Sequence, residues 1–273
     1  MKRYIKDKKN LYRSIHEFLD GSDEYNDEEI RNESFEKINE INRNHPIEGN
    51  ACEMRQFLEI IKSIGEHHHR NQNFNERMNQ LLFHYKDQIK QTLSNSQIFH
   101  IFENNKKIVH FLLQKGIITI SDEIYNELLY KIENNGNRYC HFFLPELENF
   151  VGEEKMNFLK NELLNENPTI FTEYEKKREE GENDSYICSL IRQDSVEEFI
   201  KYVNRQNISP MSKITPSIFE TNPFLIDNKN TTLIEYSAFF GSIQIFRYLL
   251  MNNAELTPSL WLYAIHSKNA ELI

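Results

Sequence analysis

The stretch Asp227-Asn-Lys-Asn-Thr-Thr-Leu-Ile-Glu-Tyr-Ser-Ala-Phe-Phe-Gly-Ser-Ile-Gln-Ile-Phe-Arg-Tyr-Leu-Leu-Met-Asn-Asn-Ala-Glu255 carries its own punctuation. A polar turn leads to Thr232, whose hydroxyl suits the N-cap of a helix through Leu233, Ile234, Tyr236 and Ala238. Asn230 is placed to serve that turn, because Asn tolerates positive φ better than other non-glycine residues. Gly241 stands where the first helix must stop and the chain reverse, a left-handed position that glycine enters without steric cost. Ile243, Ile245, Phe246, Leu249 and Leu250 then give a second helix its apolar face, and Asn253 suits a second left-handed turn. Small Ser237 and Ala238 let adjacent helices approach closely. A helix pair this short cannot bury its apolar faces alone, so it implies neighbours stacked beside it.

The same slots recur outward from this unit. Asp194 separates apolar segments at 186–191 and 196–203, Lys268 stands at the matching break in the final segment, and Gly116 ends a helix over 108–113 whose preceding break falls at Asn104. Gly241 and Lys268 are 27 residues apart, against the ~33 of a regular helix-pair repeat with a hairpin finger, which predicts a pruned finger. Asp194 and Gly241 are 47 apart, so the segment carrying Pro210, Pro216 and Pro223 reads as an insertion, a long loop with one helical turn at 217–220. Glu173 to Asp184 reads as a charged helix tail followed by a turn at Gly181.

Toward the N-terminus the pattern is plainer. Leu11, Ile15, Phe18 and Leu19, then Phe35, Ile38 and Ile41, recur at helical spacing, with a stop at His45-Pro46. Phe74, Met78, Leu81, Leu82, Tyr85, Ile89 and Leu93 form the longest clean stripe, and Ser94 is placed to cap the helix after it. The expected architecture is all-α, a helical array leading into a solenoid of helix pairs. Its expected parts are a helical N-terminal region (1–93), degenerate helix pairs (94–181) and more regular repeats (182–273).

Composition limits the function classes. The 273 residues carry a formal charge of −10, which disfavours a broad phosphate-binding face, so no nucleic-acid partner is expected. No run approaches the ~20 apolar residues of a membrane span. Three widely spaced cysteines (Cys52, Cys140, Cys188) fit a reduced, intracellular setting, most simply the cytoplasm.

The phrases Glu182-Asn-Asp-Ser-Tyr-Ile-Cys, Thr231-Thr-Leu-Ile-Glu-Tyr-Ser-Ala-Phe-Phe-Gly and Glu255-Leu-Thr-Pro-Ser-Leu-Trp-Leu-Tyr-Ala-Ile-His resemble the divergent ankyrin-repeat proteins expanded in some unicellular protists. The likeness covers residues 182 to 273 best. It implies a protein-interaction scaffold preceded by a helical region of unknown function, with no catalytic residue to carry over. The chain departs from the repeat's motif at Leu233 in place of Pro, Glu235 in place of His and Lys268 in place of Gly. On this reading Lys229, Phe239, Phe240, Gln244 and Arg247 face solvent and are the candidate partner contacts, an exposed aromatic pair being the most telling. Leu262, Ile265, Leu272 and Ile273 would be left partly uncovered, so the repeats are expected to continue past residue 273. Trp261 takes a leucine-like core position.

Other chemistry was weighed and set aside. His67-His68-His69 are turned ~100° from one another on a helix, whereas metal-binding histidines sit one turn apart. Cys140-His141 are adjacent, yet a thiol–imidazole dyad is assembled in space. A metal- or thiol-dependent enzyme using these residues is the alternative reading. No phosphate loop, nucleophile elbow or zinc-protease motif occurs, so no catalytic, cofactor or metal residue is expected.

Overall fold

A computed structural model describes residues 2–20, 27–44, 47, 49–68, 72–135, 139–228, 230–267, 269 and 271–272. Among these residues regular structure is helical, apart from one isolated antiparallel bridge between Lys213 and Thr232. In chain order the helices are α1 (Lys2–Asp20), α2 (Asp27–Asn44), α3 (Ala51–His68), α4 (Gln72–His84), α5 (Lys86–Thr92) and α6 (Asn95–Phe102). Next come α7 (Lys106–Gln114), α8 (Asp122–Asn135), α9 (Tyr139–Phe142), α10 (Leu144–Leu147), α11 (Glu153–Glu166) and α12 (Tyr174–Glu180). The last six are α13 (Tyr186–Arg192), α14 (Val196–Gln206), α15 (Pro223–Asp227), α16 (Leu233–Phe240), α17 (Ile243–Met251) and α18 (Leu260–Ser267).

The chain divides into two compact units, Met1–Tyr130 with Phe143–Met156, and Lys131–Phe142 with Asn157–Ile273. The 94–181 stretch is therefore split between them. In the first unit α1 packs along α2 and against α3 and α4, and α3 also meets α6. Ile15, Leu19, Ile38, Phe57, Leu58 and Ile61 are all buried, as their helical spacing predicts. The longest stripe is buried throughout, but its helix breaks at Tyr85, between α4 and α5. Ser94 caps α6 with a full capping box: its hydroxyl accepts the Gln97 N–H while the Gln97 side chain accepts the Ser94 N–H.

In the second unit α13 and α14 form one helix hairpin, and α16 and α17 another. α13 lies against α16 and α14 against α17, so equivalent helices stand side by side in an inner and an outer row. α18 continues the inner row beyond α16. Each hairpin reverses through a left-handed residue, Asp194 (φ 49°) in the first and Gly241 (φ 71°) in the second. Asn253 (φ 61°) takes its expected left-handed slot, and Gly181 (φ 68°) ends α12. Asn104 breaks the chain between α6 and α7 without positive φ; among the described residues the non-glycine ones with positive φ are Asp194, Asn207 and Asn253. Lys268 lies outside the described residues.

The insertion differs from the sequence reading. Residues 217–220 make a turn, and the helix of this segment is α15, which starts six residues after the expected one. Asn222 caps it and Pro223 opens it, the usual chemistry of a helix start.

Candidate recognition surface

Polar staples set the register between successive hairpins of the second unit. The Asp194 carboxylate accepts the backbone N–H groups of Gln244 (3.1 Å) and Ile245 (3.0 Å), capping α17 from the neighbouring hairpin. Ser242, the N-cap residue of α17, makes no side-chain cap of its own. Its hydroxyl instead donates to the Ile191 carbonyl, one of the last-turn acceptors that α13 cannot satisfy internally. The exchange is reciprocal: Asp194 caps α17, and Ser242 adds a second donor to the Ile191 carbonyl, which also accepts the Asp194 N–H.

The next step uses Glu235. Its carboxylate accepts the Thr232 N–H (2.9 Å) and hydroxyl (2.9 Å), closing the capping box of α16. The other oxygen accepts the hydroxyls of Thr257 (2.6 Å) and Ser259 (2.8 Å), on the chain leading into α18. Burial works against this charge, but the hydrogen bonds from Thr257, Thr232 and Ser259 outweigh it and hold the carboxyl below its ordinary value. Tyr263 of α18 adds a hydroxyl pair with Thr231 at 3.1 Å.

The five sequence candidates separate on this frame. Gln244 and Arg247 are exposed on α17, and Arg247 pairs with exposed Glu271 at 3.3 Å. Lys229 lies outside the described residues. Phe240 is half-buried against Tyr236, with ring centroids 4.6 Å apart. Phe239 corrects the expectation: it is fully buried, stacked parallel to Phe224 of the insertion at 5.8 Å. Its sequence position faces away from the outer row, but the insertion's own aromatic covers it.

Trp261 is the opposite correction. A shift of 27 residues superposes Ile234, Glu235 and Ala238 of α16 on Trp261, Leu262 and Ile265 of α18. The first three are 1%, 4% and 1% exposed, because α18 packs on them; the second three are 61%, 39% and 50% exposed. The tryptophan occupies a core register with no further helix against it among the described residues.

A polar cluster lies where α13 meets α16. The Arg192 guanidinium donates to the Asn183 carbonyl (2.7 Å) and the Tyr236 hydroxyl (3.0 Å) and pairs with Glu182. Buried Cys188 stands beside them, its thiol pushed up to about 11 by burial, so at neutral pH it is no nucleophile. Burial likewise raises the Tyr236 phenol. A small cleft beside the cluster is bordered by Asn183, Ser217, Glu220 and Leu225.

The residues of the alternative reading are dispersed. α3 runs to His68, but the side chains of His67 and His68, and all of His69, lie outside what is described. Cys52 is exposed, while Cys140 and Cys188 are buried. His141 is buried, with Nε2 3.3 Å from Glu162 and its carbonyl accepting the Tyr174 hydroxyl. His266 packs its ring on Phe224 and Phe239. Among the described residues no three His, Cys, Asp or Glu side chains converge as metal ligands, and no helix is long and apolar enough to cross a membrane.

Sequence reasoning missed Asp194 as a cap, Glu235 as a bridge and Phe224 as a cover. Only the third left a signal, since Asn222-Pro223 before Phe-Leu-Ile is a helix start. No family model, curated protein or solved structure matches this chain.

Proposed function

We propose that this chain is a non-catalytic scaffold for protein–protein recognition, built on ankyrin-like repeats and working inside the cell without a cofactor. The observation that carries the reading is the side-by-side stacking of α13–α14 and α16–α17, locked by the exchanged bonds of Asp194 and Ser242. Polar staples of this kind hold helix ends and turns in fixed relation, which suits a rigid surface that presents side chains to another protein. Gln244 and Arg247 are the exposed members of the expected contact set, standing one helical turn apart on α17.

The test is in-cell crosslinking at α17, followed by identification of the captured protein. The double variant Gln244→Ala, Arg247→Ala is expected to lose about 10-fold in capture, with helicity unchanged, because rim polar contacts mostly each contribute about 1 kcal/mol or less and two of them sum to about 2 kcal/mol at most. Capture that is indifferent to both residues, or no protein captured at all, counts against the reading.

A further inference from the structure

The connection from α14 to α16 runs 26 residues, whereas that from α17 to α18 runs 8. Both make the same step, from the outer row to the next inner helix, so eight residues suffice for chain continuity. The remainder is laid along the inner row. Phe219 sits edge-on to Tyr174 of α12 at 5.3 Å, under the Lys177 ammonium at 5.6 Å. The Thr221 N–H and hydroxyl both donate to the Gly181 carbonyl, at 3.1 and 2.7 Å. The Glu220 carboxylate accepts the N–H groups of Asn183 (3.3 Å) and Asn222 (2.9 Å). Asn222 then caps α15, which lays Phe224 over Phe239 of α16 and against Tyr263 (4.9 Å) and His266 (4.5 Å) of α18.

The segment therefore spans α12, α16 and α18 with an aromatic anchor at each end. What it covers includes Phe239, a position that the repeat pattern turns outward for contact. Phe219 and Leu225 are buried, so its hold comes from docking and not from its own secondary structure. α15 is five residues long, too short to persist without its docking site, and residues 217–222 before it form only a turn. Segments of this kind open on their own, at a lower free energy than the helices beneath them.

We propose that residues 217–228 are a strap filling, in cis, a peptide-binding groove along the inner helix row. The partner that displaces it is a short peptide of the same chemistry: two aromatic side chains five residues apart, with a carboxylate and a helix-starting Asn-Pro between them. The inference rests on the scaffold reading above, but its tests do not depend on knowing the partner.

Hydrogen exchange on the unaltered chain is the primary test. The amides of Thr221, Ile226 and Asn228, bonded to the carbonyls of Gly181, Asn222 and Phe224, should exchange at least about 100-fold faster than the Tyr236 amide inside α16. Exchange of the strap in step with α16 would make it ordinary core and overturn the proposal. The second test adds a dye-labelled synthetic peptide of residues 217–228 and follows its anisotropy. Phe224→Ala should bind it at least about 10-fold more tightly than the unaltered chain, whose groove is mostly filled. Phe224→Leu replaces that variant if circular dichroism shows it unfolded. A strap that opens but a groove that takes no peptide also overturns the proposal. If α17 substitutions leave capture unchanged while the strap opens and the peptide binds, the fault lies with the α17 contact residues and not with the strap.

Discussion

Glu235 offers the sharpest test of how the repeats are joined. One carboxylate closes the α16 capping box and also takes the hydroxyls of Thr257 and Ser259. Glu235→Ala removes the reciprocal cap, about 1 kcal/mol, and strips two hydroxyls of a charged acceptor, about 1–2 kcal/mol more after allowing for water that can replace it. The expected loss is about 2–3 kcal/mol, or about 1 M in the urea midpoint at a slope near 2 kcal/mol per molar. Glu235→Gln keeps the capping geometry and one acceptor, so its loss should be nearer about 1 kcal/mol. The pH dependence separates charge from shape. The folded-state carboxyl is held below its ordinary 4.5, so its contribution is complete above that value and disappears as the pH falls through the depressed one. The advantage of the unaltered chain over Glu235→Gln should therefore be flat near neutrality and vanish in acid. Urea unfolding followed by circular dichroism measures the midpoints, and exchange of α16 peptides assigns the shifted transition to this unit. Equal midpoints for Ala and Gln, or an advantage that grows in acid, would refute the carboxylate's role as the joint.

Three further outcomes follow from the same geometry. Gly181 and Gly241 share a left-handed backbone, but a Cβ at Gly181 would stand 2.8 Å from the Thr221 hydroxyl, whereas one at Gly241 meets only ordinary contacts at 3.5 Å or more. Gly241→Ala should therefore cost about 1–2 kcal/mol of backbone strain and Gly181→Ala clearly more, with faster exchange at Thr221; equal thermal shifts would contradict this. At Asp194, Asn keeps the left-handed tolerance but only one of the two acceptors and should lose about 0.5–1 kcal/mol, Gly should lose about 1 kcal/mol with the whole α17 cap, and Ala about 2 kcal/mol because it adds left-handed strain; calorimetry that finds Gly as stable as the unaltered chain would remove the cap argument. At pH 7.5 a thiol reagent should label Cys52 fast and buried Cys188 only on unfolding, so labelling of two or more thiols in the native chain would contradict the burial pattern.

The helices were legible because local physics suffices for them. Thr232, Gly241, Ser94 and Gly181 act through their own backbone neighbourhood, and each does what its type suggests. Where a residue's role depends on what lies across from it, the sequence was mute. Phe239 has an outward register and is buried because Phe224, fifteen residues earlier, and His266 of α18 pack against it. Trp261 has a core register and stays exposed because no helix is described against it. Apolarity and spacing report which face of a helix a residue occupies, and cannot report whether that face is covered. Asn104 breaks the chain without a left-handed turn for a related reason: tolerance of positive φ permits such a turn without requiring one.

Glu235 and Asp194 act as directional joints between stacked helices. Apolar contacts between stacked helices are non-directional and would allow one hairpin to slide on the next. Directional bonds remove that freedom, and the chain places one set at each step: Asp194 with Ser242 between the first hairpin and the second, Glu235 with Thr257 and Ser259 between the second and α18. A carboxylate in these slots only accepts, so every partner must be a donor, and each one here is a backbone N–H or a hydroxyl. Because both oxygens of each carboxylate are engaged, moving either hairpin by one residue would leave a charge without its donors, which costs more than losing an apolar contact. Register is thus set by acids that have few alternative partners.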